Sequence, residues 1–250
     1  MAVAVTQPVQ KTNQVKEFFD RPQTYLTPRQ FDIAVRSETV REFAGDIVHP
    51  RVLDIGCGDG ALSLPLLNEQ SHITLLDLSA NMLSRASSRV PAGLKANVRI
   101  IQGDFMTADV GHEAYDLVIC VGVLAHVDSL FDFMAKVASV VKPGGRVILQ
   151  ITDSGHVLSR ALEIYEMLLN LVKPRTYSLN RLTRSQVLGV ARANHLQLIA
   201  AFRYGLPLPG LTRVFSQETL HKMVRVLFGT AAANRNACFG TESVLLFRRH

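Results

Sequence analysis

Cysteine is scarce in this chain: Cys57, Cys120 and Cys238 are the only three among 250 residues. An odd number cannot all pair, and none stands in a Cys-x-x-Cys or Cys/His spacing that holds zinc. A disulfide scaffold is therefore excluded, and no metal site is expected. Long hydrophobic runs are missing too. The longest, residues 117–125, has nine positions that are apolar or glycine, against the ~20 needed to span a bilayer. The opening MAVAVTQPVQKTNQ lacks a basic region followed by an apolar core, so no secretory leader is read there. Internal repeats and low-complexity tracts are absent, and 48% hydrophobic residues suffice for a large core, which excludes a disordered chain. The expectation is a cytoplasmic globule built as one domain with caps.

Acidic residues are scarce in one region only. Residues 156–250 hold 13 basic and 4 acidic side chains, while residues 1–155 hold 14 and 17. The net charge of +6 thus lies in the last third. Such a surplus suits a soluble arginine-rich surface, an acidic partner or an anionic membrane.

What is present from residue 51 onward is a rhythm. Short β-branched apolar runs alternate with helical periodicity, the pattern of βαβ units around a buried parallel sheet. Strands are predicted at 51–55, 72–77, 97–102, 115–122, 146–152, 196–204 and 243–249. Helices are predicted at 61–68, 81–89, 129–141 and 184–194, with Ser79 and Asp128 as N-caps and Pro143-Gly144-Gly145 as a helix stop. The fold class is α/β: a Rossmann-like, seven-stranded, mostly parallel sheet with helices on both faces and an antiparallel last strand. Residues 1–45 are expected to form an N-terminal helical lid. Residues 46–250 form the main domain, with cap insertions at about 154–182 and 205–241. The first insertion carries an apolar helix at 157–172, the second an amphipathic helix at 217–228.

The sharpest motif is Asp54-Ile55-Gly56-Cys57-Gly58-Asp59-Gly60, a strand running into a glycine loop that is expected to open a helix. Glycines let the backbone turn tightly and let a ligand approach the main chain, and a helix N-terminus offers unpaired N–H groups. Gly56-x-Gly58-x-x-Ala61 equally satisfies a dinucleotide-binding fingerprint. Asp77 ends the second strand, 23 residues after Asp54, where a carboxylate can accept both hydroxyls of a ribose. Asp104 follows the third strand beside Phe105. That pair suits an adenine, its amine on the acid and its face on the ring, and a dinucleotide enzyme has no need of it. Asp54 itself is unfavourable beside a pyrophosphate and compatible with a cation.

S-adenosylmethionine is such a ligand, with a sulfonium, an ammonium and no phosphate. The acid-x-Gly-x-Gly-x-Gly loop, Asp77, Asp104, the apolar strand Tyr115-Asp116-Leu117-Val118-Ile119-Cys120 and Lys142-Pro143-Gly144-Gly145 occur in one order. Together they make residues 51–152 resemble the class I S-adenosylmethionine-dependent methyltransferases, in particular the small-molecule branch that includes quinone-biosynthesis enzymes. The resemblance implies that Asp54, Gly56 and Gly58 line the methionine part of the cofactor, Asp77 with Leu78 and Met82 the ribose and its surroundings, and Asp104 with Phe105 the adenine. Cys120 is implied to offer backbone contacts. Tyr25 is implied to belong to a lid, with Arg29 or Arg36 reaching the cofactor's carboxylate.

After the fourth strand the family's Glu-x-Leu-Glu-His-Val becomes Gly122-Val123-Leu124-Ala125-His126-Val127, which keeps the histidine and drops both glutamates. His126 is the candidate general base, since an unperturbed imidazole titrates near ~6.5. Tyr25, Tyr165, Tyr177, His156 and His221 are further candidate bases or orienting groups in the caps.

The implied activity is methyl transfer to a small, hydrophobic acceptor, with oxygen the favoured target and carbon second. The alternatives are a nicotinamide-dependent reductase and a non-catalytic cofactor- or nucleic-acid-binding domain. Against the first, no tyrosine is followed four residues later by lysine. Against base modification, neither an Asn/Asp-Pro-Pro-aromatic motif nor a Pro-Cys nucleophile follows strand four. The expected partner is an apolar or acidic small molecule and not nucleic acid. Peripheral membrane contact through the apolar stripe at Met223, Val226, Leu227 and Phe228, beside Lys222 and Arg225, stays open, as does the choice between monomer and homodimer.

Overall fold

The computed structural model describes residues 20, 26–45, 47–160, 180–206 and 210–250. Seven strands form one sheet: β1 (Arg51–Ile55), β2 (His72–Asp77), β3 (Val98–Gln102), β4 (Tyr115–Cys120), β5 (Val141–Thr152), β6 (Leu196–Tyr204) and β7 (Glu242–Arg249), in the order β3-β2-β1-β4-β5-β7-β6. The first five pair in parallel, and β7 runs antiparallel to both β5 and β6. The expected fold class is the one observed. Almost every side chain of β1, β2 and β4 is buried, because helices cover both faces of the sheet, so the strands are mostly apolar and a polar residue such as Asp54 or Thr74 is buried with them. β3, at the edge, keeps exposed positions.

On one face lie α1 (Gln30–Ala44), α2 (Ala80–Arg89) and α5 (Gln217–Phe228); on the other lie α3 (Leu130–Val140) and α4 (Arg184–Ala193). Expected as part of a lid, α1 instead packs into the core through Val35, Val40 and Phe43, and Arg146 caps its last carbonyls at Phe43 (3.1 Å) and Ala44 (2.9 Å). α5 docks on α1 through Leu220, Val224 and Phe228. The Glu38 carboxylate joins the two helices, accepting from Arg225 Nε at 2.7 Å and lying 3.0 Å from His221 Nε2. Against the upward push of burial, Arg225 and His221 hold the Glu38 carboxyl below its ordinary value.

Three local expectations are corrected. The helix at 61–68 is absent: Leu64–Leu66 is a single 3-10 turn preceded by turns. Pro65 has no N–H to give and disfavours helical backbone at Leu64, so the chain cannot propagate a helix there. The N-cap of α3 is Ser129, whose side chain accepts from Asp132 N, and not Asp128. Lys142 to Gly145 do not merely stop α3 but bulge inside β5, so that Tyr115 pairs with Val141 while Leu117 pairs with Arg146. Lys142 Nζ is 2.7 Å from Asp116 Oδ1, and Asp116 Oδ2 accepts the Arg51 N–H at 2.9 Å.

Ser79 caps α2 as expected, accepting from Met82 N. The predicted 157–172 helix is described only at residues 157–160, which are helical. Tyr25, Tyr165 and Tyr177 lie outside the described residues. Among the described residues no helix is long and apolar enough to cross a membrane.

If α5 is held by its inner face, Leu220→Ala is expected to cost about 2–5 kcal/mol in urea unfolding. Val226→Ala, at a side chain 74% exposed, is expected to stay within about 0.5 kcal/mol of the parent. Equal losses at the two positions would contradict this docking.

Candidate functional site

At the carboxyl edge of the parallel strands a cavity of about 290 Å³ opens between the ends of β1, β2, β3 and β4. Its position follows from topology. β2 and β4 flank β1 on opposite sides, so the chain leaves β1 where the strand order reverses and a crevice must open. The glycine loop is drawn over this edge by one carbonyl, that of Leu76, which accepts from Gly56 N (2.8 Å) and Cys57 N (3.0 Å). Gly56 has φ +67°, and a Cβ there would lie 2.6 Å from Val123 Cγ2, so only glycine fits between the loop and the β4 exit. A Cβ added at Gly58 or Gly103, both lining the cavity, would meet no atom within 4 Å. The backbone is bare there on the side of open space.

Of the sequence-predicted residues, Gly56, Gly58, Asp77, Leu78, Met82, Asp104, Phe105 and His126 line this cavity together. Asp77 is held rigidly: Oδ2 accepts from Gly58 N at 2.9 Å and Oδ1 from Ser79 N at 2.8 Å. Burial raises its pKa, against the opposing N–H groups of Ser79, Gly58 and Leu78. Asp104 Oδ1 accepts from Met106 N at 2.9 Å, which turns the chain after β3. Phe105 is anchored edge-to-face on Phe133, ring centroids 5.3 Å apart, with the Lys136 ammonium 5.0 Å from its ring. His126 is half-buried, its backbone N–H bonded to Val123 O at 2.8 Å.

Two expected residues do not face the cavity. Asp54 lies beneath the loop, 1% exposed, and accepts the Ser63 hydroxyl at 2.6 Å. Cys120 is fully buried in the core. β1 points Asp54 to the side of the sheet where the 61–66 turns pack, and β4 ends with the Cys120 side chain directed inward. Arg36 does not reach the cavity either. It is buried against Asp32 (2.8 Å), Tyr204 Oη (3.1 Å) and Glu242 (3.4 Å). His221 is engaged with Glu38 and His156 with Cys238 O at 2.7 Å.

Other residues that shape the site had no signal in the motif pattern. Arg89 of α2 clamps the loop by binding Asp59 Oδ2 at 2.6 Å. Asp20 accepts the Ser79 hydroxyl at 2.6 Å, and its carbonyl accepts from Asn81 Nδ2 at 2.9 Å, which ties the N-terminal segment to the start of α2. Both contacts join residues distant in sequence, so local pattern cannot reveal them. Ser63 was recoverable in principle, as a small hydroxyl residue following the loop.

The electrostatics are one-sided. Among the described residues the cavity lining includes Asp77, Asp104, Asp128 and Asp132 and no lysine or arginine. Nor does a helix begin behind the glycine loop, so the aligned peptide dipoles that favour an anion are missing. The site therefore repels phosphate and favours a cationic or neutral ligand.

Residues 52–145 match a family described as "Methyltransferase domain". An uncharacterised methyltransferase of Mycobacterium tuberculosis is 33% identical over 105 residues, 41% of this chain and 52% of that protein. A ubiquinone biosynthesis O-methyltransferase of Bordetella avium is 31% identical over 127 residues, 50% of this chain and 52% of the relative. The chain thus spans about half the length of these curated relatives. Among solved structures, the magnesium protoporphyrin IX methyltransferase of Synechocystis PCC 6803 with bound SAH superposes with a TM-score of 0.66 at 16% identity, covering 96% of this chain and 100% of that one.

Burial moves Asp54 from the ordinary 3.8 to about 7, with Asp77 and Asp59 adding to the shift and Ser63 opposing it. The folded chain holds a proton that the unfolded chain releases. The resulting stability is complete below pH 3.8 and is lost as pH rises through about 7. Asp54→Asn is expected to gain on the parent in urea unfolding free energy between about pH 5 and about pH 8. A difference that does not change with pH would refute this assignment.

Proposed function

We propose that the chain is a class I methyltransferase that transfers the methyl group of S-adenosylmethionine to a small, hydrophobic acceptor, with oxygen as the target atom, a reading supported by the match of residues 52–145 to a family described as "Methyltransferase domain". The observation that carries the proposal is the cavity itself, with its bare glycine backbone, its carboxylates and its lack of any cationic side chain among the described residues. A ligand bearing a sulfonium suits such a lining. A pyrophosphate does not, which tells against the nicotinamide alternative. The name of the Bordetella avium relative supports oxygen as the target.

In this reading Gly56, Gly58 and Asp77 hold the methionine and ribose parts. Leu78 and Met82 flank the ribose, and Asp104 with Phe105 receives the adenine. Asp54 contributes from below, by supporting the loop through Ser63. When bound, the cofactor supplies a methyl group already activated toward in-line displacement. The task left to the chain is to align the acceptor and to exclude water. The apolar walls at Val121, Val123, Val127 and Phe133 serve both purposes. His126, on the same wall, takes the proton from a phenolic or alcoholic acceptor as it attacks.

The carboxylate lining favours a neutral acceptor over the acidic one that the basic last third suggested. Part of that positive charge is already used inside the fold, with Arg203 paired to Asp153 (3.8 Å), Arg225 to Glu38 and Arg249 to Glu113 (2.8 Å).

Calorimetry tests the ligand. S-adenosylmethionine and its demethylated product are expected to bind, and Asp77→Ala to weaken both on the order of tenfold, about 1.4 kcal/mol. Unchanged binding in the variant would refute the assignment. Transfer of labelled methyl groups to a panel of phenols tests the base: His126→Ala is expected to lower kcat about 100-fold, with a smaller loss on more acidic phenols. A rate equal to the parent's on every phenol would remove His126 from the mechanism.

A further inference from the structure

We infer that Gln150 is a positioning residue, whose side-chain amide, held by Glu242, fixes the β4 exit at residues 121–123 that walls the cavity. The main-chain ladder between β4 and β5 ends at Cys120 and Leu149. One step further along β5, the Gln150 side chain replaces it, and its Oε1 accepts the Gly122 N–H at 3.0 Å. Gly122 turns there with φ +79°, and Val121, Gly122 and Val123 all line the cavity. Val123 is also the side chain against which Gly56 packs without a Cβ. The glycine loop and the apolar wall of the cavity therefore meet at the segment that Gln150 holds.

The amide can take only one orientation. Its Nε2 donates to Glu242 Oε2, a carboxylate that also accepts the Thr152 hydroxyl at 2.7 Å. Arg36 of α1 approaches the same carboxylate at 3.4 Å and Asp32 at 2.8 Å. Tyr204 of β6 accepts from Arg36 Nε at 3.1 Å and donates to Asp32 Oδ1 at 2.6 Å. Among the described residues, Glu242 of β7 is thus the charged group in contact with Gln150, with Arg36 and Asp32 from α1 and Tyr204 from β6 behind it; burial pushes the Glu242 carboxyl up and Arg36 opposes that. Gln150 itself is 5% exposed, and no solvent competes for either end of the amide. The amide supplies both an acceptor for Gly122 N–H and a donor for Glu242; without it Gly122 N–H loses its acceptor, while Glu242 keeps only Thr152 and Arg36.

This double pairing separates positioning from mere packing. A protonated carboxyl has the same pattern as the amide, a carbonyl that accepts and an O–H that donates, whereas an ionised carboxylate faces Glu242 with like charge. Gln150→Glu is therefore expected to behave like the parent at low pH and to release the β4 exit as pH rises. Gln150→Leu is expected to release it at every pH.

The test uses the full chain of all three proteins between about pH 5.5 and about pH 8.5. Amide hydrogen exchange at residues 121–123 is followed without ligand, and S-adenosylhomocysteine affinity is measured by calorimetry. The ligand readout rests on the cofactor reading proposed above; the exchange readout does not. Gln150→Glu is expected to match the parent at the lower pH, then to exchange at least about tenfold faster and bind about tenfold more weakly at the upper one. Gln150→Leu should show both losses throughout. Parent-like exchange and affinity in both variants would overturn the inference, as would losses in Gln150→Glu that do not recover on acidification. If Gln150→Leu does not fold, the reversible pH response of Gln150→Glu carries the test alone. A parent that binds no S-adenosylhomocysteine while exchange follows this pattern would sink the cofactor reading and leave the positioning role standing.

Discussion

The carbonyl of Leu76 is the point on which the site depends. By accepting the N–H groups of both Gly56 and Cys57, it bends the chain leaving β1 back across the end of β2 and brings Gly58 N within 2.9 Å of Asp77. The cavity floor is thereby built from main chain. That is why the loop needs glycine where Val123 crowds it, and why a carboxylate can be held at the edge of the sheet with its oxygens already directed. Arg89 on Asp59 and Ser63 on Asp54 then fasten the loop from outside and from below.

Burying so many acids near one loop has an electrostatic cost, and the fold meets it in two ways. Burial raises both carboxyls, but at Asp77 backbone N–H groups oppose the rise, while Asp54, with a single hydroxyl partner, moves further, to about 7. The two carboxyls stand two strands' ends apart in role: one is a presented acceptor, the other a neutral support at the lower end of the physiological range. A cationic ligand entering the cavity finds negative charge on several sides and no competing cation among the described residues.

Sheet and helix placement was legible because strand burial and helix periodicity leave direct marks in the order of apolar residues. The strand bounds of β1, β2 and β6 and the bounds of α5 coincide with their predicted ranges. The missing helix at 61–68 was not seen in advance: the glycine loop argued for a helix start more loudly than Pro65 argued against its continuation. The packing of α1 into the core is hard to read from the sequence because its inner face is closed by Arg36 and Thr39 as well as by apolar residues, and buried polar groups blur the hydrophobic period. For Asp54, motif position indicated proximity to the site but not the direction of the side chain, which depends on what packs against each face of the sheet; for Cys120, expected to act through its backbone, the buried side chain decides nothing.

The chain's own sequence determined the doubly wound architecture, the glycine loop and the spacing of the acids, because each rests on local backbone preference or on a repeat of two or 3.6 residues. Tertiary structure alone decided which carboxylates face the cavity and which are buried beneath it, and which basic side chains of the last third pair with acids elsewhere in the chain. It also decided that Gln150, unremarkable in a strand, meets Gly122 and Glu242. The two contacts of Gln150 join residues 28 and 92 positions apart, and no local pattern encodes a contact across such a distance.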